Sequence, residues 1–520
     1  MGTVAGLLAV GLVACGEGEI DAAYRCPSDP PPVISDRFPE PEVRQSKNGE
    51  LNTTLRASYG QVELAGGRYK TMNFEGMVPG PTLMVCPGDR LTVTLDNDLG
   101  NTPPSIVPRA PGPDYPHAHE NTLAARQSTN IHTHGLHVAP GENPEGVTSD
   151  NIFLDVGPGE ARTYEYEIPE DHPPGTYWYH PHRHGNVEPQ IFAGMLGSLI
   201  VRGGLDEVPE LKDIPVRNLV IHYTQLGKRG QVVPVEESVD PGTAGAARDD
   251  ESQLLINGSS QPEIPIRPGE LQRWRITNAN DNPILDLALE GHRFYLLAND
   301  GNTLKELTPR DTMLLGPSER REVLVKGGSP GAYGLKTRAF SQFQGGKAPA
   351  ASLARMVSAG AKVNAQLPKG VQLAEPQDLT DEKVDKRHEV IFSEAPRSKT
   401  ETDFLVNGKL FDPNRVDQRM TLNEVNEWTV KNATTEWHSF HIHVNNFQVT
   451  SLTGKAPDKV SDANAEEIGV GHRQDTVVMP PGKTVTFRTK PTDFTGKFVF
   501  HCHMANHEDR GMMAVTEVKE

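Results

Sequence analysis

The sequence predicts an all-β protein of three tandem Greek-key sandwiches or barrels, and three observations carry that prediction. Gly and Pro are plentiful, 49 and 43 in 520 residues, while aromatic residues make up only 6%, a balance that favours short strands and turns over long helices. Apolar and polar residues alternate with period two over many short runs, as in strands buried on one face. These runs recur as three copies of one pattern, and no sustained amphipathic helix interrupts them.

The chain opens with its one long apolar run, "VAGLLAVGLVAC" at 4 to 15, too short to span a bilayer but suited to a secretory leader. It ends in "LVACG", which resembles a lipoprotein cleavage box with Cys15 as the lipid-bearing residue. "MGT" supplies no Lys or Arg ahead of it, and an ordinary signal peptide cut nearby is the other reading. Residues 1–15 are therefore expected to be a leader and 16–44, rich in Pro and acidic groups, a tether. The expectation is export to the periplasm or cell envelope, with membrane contact only through a lipid anchor. The net charge of −18 argues against nucleic acid or anionic lipid as a partner, since both call for basic patches.

Three segments follow, 45–204, 205–365 and 385–520, with 366–384 as a linker. "MNFEGMVPGPTLMVCPGDRLTVTLDNDL" (72–99) is echoed by "LLINGSSQPEIPIRPGELQRWRITNAN" (254–280) and by "FLVNGKLFDPNRVDQRMTLNEVNEWTVKNAT" (404–434). Each reads as strand, turn, strand, tight turn and an alternating strand ending at Asn. A second element recurs at 156–168, 315–327 and 479–490, and a third at 174–182, 330–338 and 495–503. Repeats of this length, each with one apolar face per strand, are Greek-key units.

Ten of the 19 histidines fall into "HTH" (132–134), "HPH" (180–182), "HSFHIH" (438–443) and "HCHMANH" (501–507). Two clusters lie in the first repeat and two in the third; the second has none. Residues i and i+2 of a strand face the same side, so each His-x-His projects two imidazoles together. Packing the outer repeats side by side would gather eight rings. Two or three neutral imidazoles per ion suit copper, zinc, iron or nickel. Eight can hold three ions.

Cysteine is scarce, four residues in all: Cys15, Cys26, Cys86 and Cys502. Cys26 and Cys86, both far from the histidines, are the economical disulfide pair, which would stabilise the fold by roughly 4 kcal/mol in the chain-entropy model. Two unpaired buried thiols is the alternative. Cys502 sits between His501 and His503, so on a strand its side chain points to the opposite face. There it can meet His438 and His507, with Met512 as a weaker donor. Two imidazoles, a thiolate and a distant thioether make an electron-transfer copper site.

"IHTHG", "WYHPHRHG", "WHSFHIH" and "HCHMANHEDRGMM" resemble the four copper signatures of the multicopper oxidases, in family order and across nearly the whole mature chain. The resemblance implies three cupredoxin-like domains and four copper ions. His438, Cys502, His507 and Met512 would bind the type 1 copper, with Met513 the alternative axial donor. His132 and His441 would bind the type 2 copper. His134, His180, His182, His443, His501 and His503 would bind the type 3 pair. A Met at the axial position implies a moderate reduction potential.

The family's reaction takes single electrons from a reductant and reduces O2 to water, which also consumes four protons. Glu508 and Asp150 resemble the family's proton-relay acids; the plainer reading of each is a solvated loop acid, and Glu142 and Glu145 share the loop of Asp150. Asp475, in "GHRQDTVVMPPG", occupies a segment that in related oxidases borders the type 1 pocket, where it would accept a phenol's proton, bind a metal ion, or do neither. His137 and His184 lie off the ligand pattern. His117, His119, His172, His222, His292, His388 and His472 are expected at the surface, and Trp178 and Trp437 to pack beside the sites. The twelve Met are dispersed, with only Met356 between 340 and 400, which weakens the case for a cuprous oxidase. The leading expectation is a laccase-like oxidase of phenols or aromatic amines. Oxidation of Mn(II), Fe(II) or Cu(I) comes second, and a non-catalytic copper-binding or scaffold protein third.

Overall fold

The computed structural model describes residues 38–103, 127–233, 252–342, 350–369, 377–397, 402–458 and 461–520. The predicted leader with Cys15, the tether as far as residue 37 with Cys26, and His117 and His119 lie outside the described residues. Among the described residues strands hold 51% and helices 4%, which makes the protein all-β as the alternation predicts.

The strands build three two-layer packings. In the first, Val43–Gln45, Thr82–Val85, Gly197–Val201, Gly175–His180 and His132–His134 pair in that order. They face Gly67–Phe74, Glu50–Leu64, Arg90–Asp98 and Ala161–Glu167 across a core that includes Leu55, Leu83, Val93, Tyr164 and Tyr179. The second repeats the plan around Trp274, Ile276, Leu287, Val323 and Leu353. The third stacks a six-stranded sheet, among it Asn426–Asn432 and Lys483–Thr489, on a five-stranded one holding His438–Ile442, Thr476–Met479, Gly496–Cys502 and Met513–Lys519. Trp428, Phe440, Phe487, Phe500 and Cys502 fill the space between. Burial of this kind supplies roughly 1.5–3 kcal/mol for each large apolar side chain.

Arg90–Asp98 shows the predicted alternation of buried and partly exposed residues. Its echo Leu271–Asn278 does not: all eight residues are buried. Its outer face is covered by the segment after residue 203. There Asp206 pairs with Arg273 and, at 3.0 Å, with Arg275. Nor are the first two packings separate sheets. The strand Gln231–Val232 pairs with Val216–Gly227 and also meets Lys70 of Gly67–Phe74, joining eleven strands into one sheet.

The Asn that ends each repeated strand has one job in all three copies. Asn97, Asn278 and Asn432 are fully buried. Their amides donate across the layer to Val156 O (2.7 Å), Leu315 O (2.9 Å) and Met479 O (2.8 Å), the residues that open the second recurring element. Their Oδ1 atoms accept from the backbone two residues on, at Leu99, Asn280 and Thr434. A buried amide side chain that satisfies loop backbone in this way fixes where the next strand starts.

Candidate metal centre

The ligand strands lie at the seam between the first and third packings. His132–His134 runs antiparallel to Gly175–His180, with His132 opposite His180. His438–Ile442 runs antiparallel to Gly496–Cys502, with His441 opposite His501 and Phe440 opposite Cys502. The two sheets meet ring to ring: His132 stacks on His443 and His134 on His441, each pair 3.8 Å between centroids. All eight predicted imidazoles are buried there.

Their nitrogens gather in threes. Nε2 atoms of His182, His443 and His501 lie 3.1–3.3 Å from one another. His134, His180 and His503 form a second set, with His180 Nε2 3.3 Å from His503 Nε2; His132, His134 and His441 form a third. A neutral imidazole has one N–H, and several are engaged outward. His180 Nδ1 donates to Pro181 O, His441 Nδ1 to Asp475 O and His501 Nδ1 to Cys502 O, at 2.9, 2.9 and 3.1 Å. His132 Nδ1 lies 2.8 Å from Asp150 Oδ2, and His134 Nε2 lies 3.2 Å from Asp475 Oδ1. The inward nitrogens His132 Nε2, His134 Nδ1 and His441 Nε2 have no hydrogen-bond partner. Burial holds the rings neutral, lowering His182 to about 4 and His501 to about 3. Buried lone pairs aimed at lone pairs, with the opposite N–H groups anchored, are what a bound cation requires.

Cys502 points the other way, into the third core. Its Sγ lies 3.4 Å from His438 Nδ1 and 3.6 Å from His507 Nδ1, which are 3.0 Å apart. His438 Nε2 donates to Thr434 Oγ1 at 2.8 Å, and His507 Nε2 lies 3.4 Å from Glu436 Oε2. Phe404 stacks on the His507 ring at 4.0 Å. Met512 shares the core of Cys502, whereas Met513 packs with Ile152, Phe411 and Val499 on the far side. The thiol is free, and burial pushes it up to about 12, so a cation must supply the charge that makes it a thiolate. Cys86 is buried and disulfide-bonded; Cys26, its predicted partner, is not among the described residues.

Two buried acids back the imidazoles. Glu508 sets its oxygens 3.3 Å from His182 Nδ1 and 3.1 Å from His501 Nδ1. Asp150 Oδ1 accepts from the Thr133 amide at 2.9 Å while Oδ2 faces His132. Burial raises both carboxyls to about 7. Neither is the solvated loop acid of the plainer reading.

Residues 118–205, 229–357 and 378–520 match three family models, each described as multicopper oxidase. A multicopper oxidase of Staphylococcus haemolyticus is 25% identical over 92% of this chain and 91% of its own. A laccase of Haloferax volcanii is 25% identical over 85% and 76%. A solved multicopper oxidase from Campylobacter jejuni, described as a metallo-oxidase, superposes with a TM-score of 0.71 at 26% identity, covering 95% of this chain and 99% of that one.

The chain belongs to the multicopper oxidase family. It is a copper-dependent oxidoreductase with O2 as acceptor.

Several residues of this oxidase stand elsewhere than expected. Asp475 does not border the thiolate site. It is buried against His134 and His441, and both its oxygens are held by Arg320 at 2.8 and 2.5 Å. The cause is register: Thr476 pairs with His441, which carries Asp475 to the imidazole side. His172, His222 and His388 are buried, not at the surface. His172 Nε2 accepts from the His137 amide, His222 Nε2 donates to Ile191 O, and His388 stacks on Trp428. His292 and His472 are partly exposed. His137 bridges Val444 O and Asp493, and His184 lies against Phe411; neither belongs to the donor sets described above. Trp178 stacks on His180 at 4.3 Å and Trp437 meets Phe340 edge-on. Sequence reasoning missed Thr434, Glu436 and Arg320. Only Thr434 and Glu436 had a signal, their nearness to His438.

Proposed function

We propose that this oxidase takes single electrons from small organic reductants, phenols or aromatic amines, at a type 1 copper and reduces O2 to water at a trinuclear cluster. His438, Cys502, His507 and Met512 hold the first ion. His132 and His441 hold the type 2 ion, and His134, His180 and His503 with His182, His443 and His501 hold the type 3 pair. The observation that carries this reading is the alternation at 501–503: Cys502 belongs to the third core while His501 belongs to the imidazole seam. Copper bound in these two donor sets would supply one-electron uptake at the thiolate and four-electron reduction of O2 among the imidazoles.

The chain's own residues handle orientation and protons. Thr434 and Glu436 anchor the outward nitrogens of His438 and His507, so their Nδ1 atoms stay turned towards Cys502. Glu508 and Asp150, with carboxyls near 7, can release and regain protons at neutral pH beside the cluster. Glu436 is 26% exposed and touches a type 1 ligand, which suits it to accept the proton that a phenol loses on oxidation. Export through the apolar leader, with Cys15 as anchor, belongs to the same reading.

A second reading, oxidation of Mn(II), Fe(II) or Cu(I), draws on Glu436 and its neighbour Glu394: burial and then the charge of Glu436 raise the Glu394 carboxyl, a repulsion that a metal cation beside the pair would relieve. The Campylobacter relative's description as a metallo-oxidase points the same way. Oxygen uptake by the copper-loaded protein with a phenol, Mn(II) and Cu(I) side by side ranks the reductants. The expected result is fastest uptake with the phenol and four electrons consumed per O2. Faster turnover of a metal ion would move the assignment to the second reading, and no uptake with any reductant would refute both.

A further inference from the structure

We propose that Arg320, from the repeat without clustered histidines, is a positioning residue for the imidazole cluster, acting through Asp475 on His134 and His441. The inference rests on the ligand assignment above. Arg320 is fully buried and wholly engaged. Nη1 and Nη2 grip Asp475 Oδ1 and Oδ2, Nε donates to Thr176 O at 3.1 Å, and Nη1 also donates to Ser318 O at 3.1 Å. Its guanidinium lies 5.7 Å from the Tyr177 ring centroid. One side chain thus ties the strand Gly175–His180 of the first packing to Asp475 of the third.

A second acid doubles the tie. Asp300 Oδ1 accepts from Arg320 N at 2.7 Å and Oδ2 from Thr476 N at 3.2 Å. Clamped at both ends, Asp475 aims Oδ1 at His134 Nε2, and its backbone oxygen takes the Nδ1 proton of His441. Those two contacts leave His134 Nδ1 and His441 Nε2 facing inward, the nitrogens without partners. The fit is close: a Cβ at Gly135, where φ is +84°, would lie 2.5 Å from both Arg320 Nη2 and Asp475 Oδ2. Lysine, a point charge without the planar fork, cannot hold both oxygens of Asp475 in one plane.

The test compares full-length, copper-loaded Arg320→Lys with Arg273→Lys. Arg273 is an equally buried arginine, paired with Asp206 and Glu322 and in contact with none of the ligands. Copper retention is followed in competition with a chelator, and the two donor sets are separated by the blue absorption of thiolate-bound copper and the paramagnetic signal of the type 2 ion. Arg320→Lys is expected to weaken retention at the imidazole set about tenfold to a hundredfold while the blue absorption survives. Arg273→Lys is expected to leave both unchanged. Retention equal to wild type, or equal losses from both donor sets, overturns the inference. Should Arg320→Lys not accumulate as folded protein, Asp475→Asn keeps the shape, breaks one prong of the grip and must give the same selective loss. A wild-type chain that holds no imidazole-bound copper would instead overturn the ligand assignment.

Discussion

The copper-free protein should be acid-labile well above the pH at which its carboxylates would normally protonate. The perturbation is a shift from pH 7 to pH 5. His182, His501 and His507 are held neutral by burial, at about 4, 3 and 3, against about 6.5 in an unfolded chain. The unfolded state therefore binds more protons in this window, and stability falls as pH falls. The contribution is intact above about 6.5 and is lost progressively down to the folded values. Each group acting independently would cost about 2 kcal/mol over those two pH units. His172 and His222, buried away from the donor sets, add to the same side at about 3 and 4. Asp150, Asp300, Glu508 and Asp509 pull the other way, since burial raises them to about 7 or 8 and they gain protons in the folded state. These four acids offset about what the five named imidazoles cost; the seven other ligand imidazoles, His132, His134, His180, His438, His441, His443 and His503, are lowered by burial in the same way and tip the net slope towards unfolding in acid. With a total stability on the order of 5–15 kcal/mol, the loss is large. Melting temperatures of copper-free protein at pH 8, 7, 6 and 5 measure it directly. A flat profile between pH 8 and pH 5 would refute the neutral, inward-facing imidazoles on which the site rests. Copper loading should shift the acid transition downward, because protons and metal compete for the same lone pairs.

Cys502→Ser should abolish the blue absorption and electron uptake from the reductant while leaving imidazole-bound copper in place, as metal analysis would show. Asn432→Ala should lower stability by about 2 kcal/mol, as Asn97→Ala and Asn278→Ala should, by stranding buried backbone groups. Of the three, only Asn432→Ala should also disturb the blue absorption, because its loop carries Thr434 and Glu436; calorimetry and absorption spectra check both halves. Glu508→Gln should slow turnover by about a hundredfold or more with the KM for the reductant unchanged, since proton transfer by a positioned side chain is typically worth that much. Steady-state kinetics separate the two parameters.

The donor sets were legible in the sequence because a strand's period of two leaves a direct trace: His501 and His503 on one face, Cys502 on the other. The eight imidazoles come from four short motifs: strand pairing joins them two by two within the first and third packings, and the packing of one against the other completes the cluster. Asp475 was misread because its place depends on the register of Thr476 against His441, which local pattern does not encode. Arg320 left no trace at all, since its partner lies 155 residues away and lone arginines are common. His172, His222 and His388 look like surface residues in sequence because a single histidine has no periodicity. The doubly buried Leu271–Asn278 shows the same limit: "LQRWRITN" alternates, and only the pairing of Arg273 and Arg275 with Asp206 makes its polar face an interior one.

The metal-free seam must hold its shape while inward lone pairs repel, and the structure shows how. The eight seam imidazoles lie between the first and third packings, whose cores are filled by apolar side chains such as Leu55 and Val93 in the first and Phe440 and Phe487 in the third. Other groups also link the two packings across the seam. Asp509 accepts from the backbone of Gly185 and Glu188 at 2.7 and 2.9 Å, beside Glu508. His137 bridges to Val444 O and Asp493. Arg320 joins first to third through Asp475. Rings held by such links lose little freedom when they bind a metal, and that is where a preorganised site gains affinity. A repeat with no clustered histidines therefore still shapes the centre, because one of the side chains that brace it is its own.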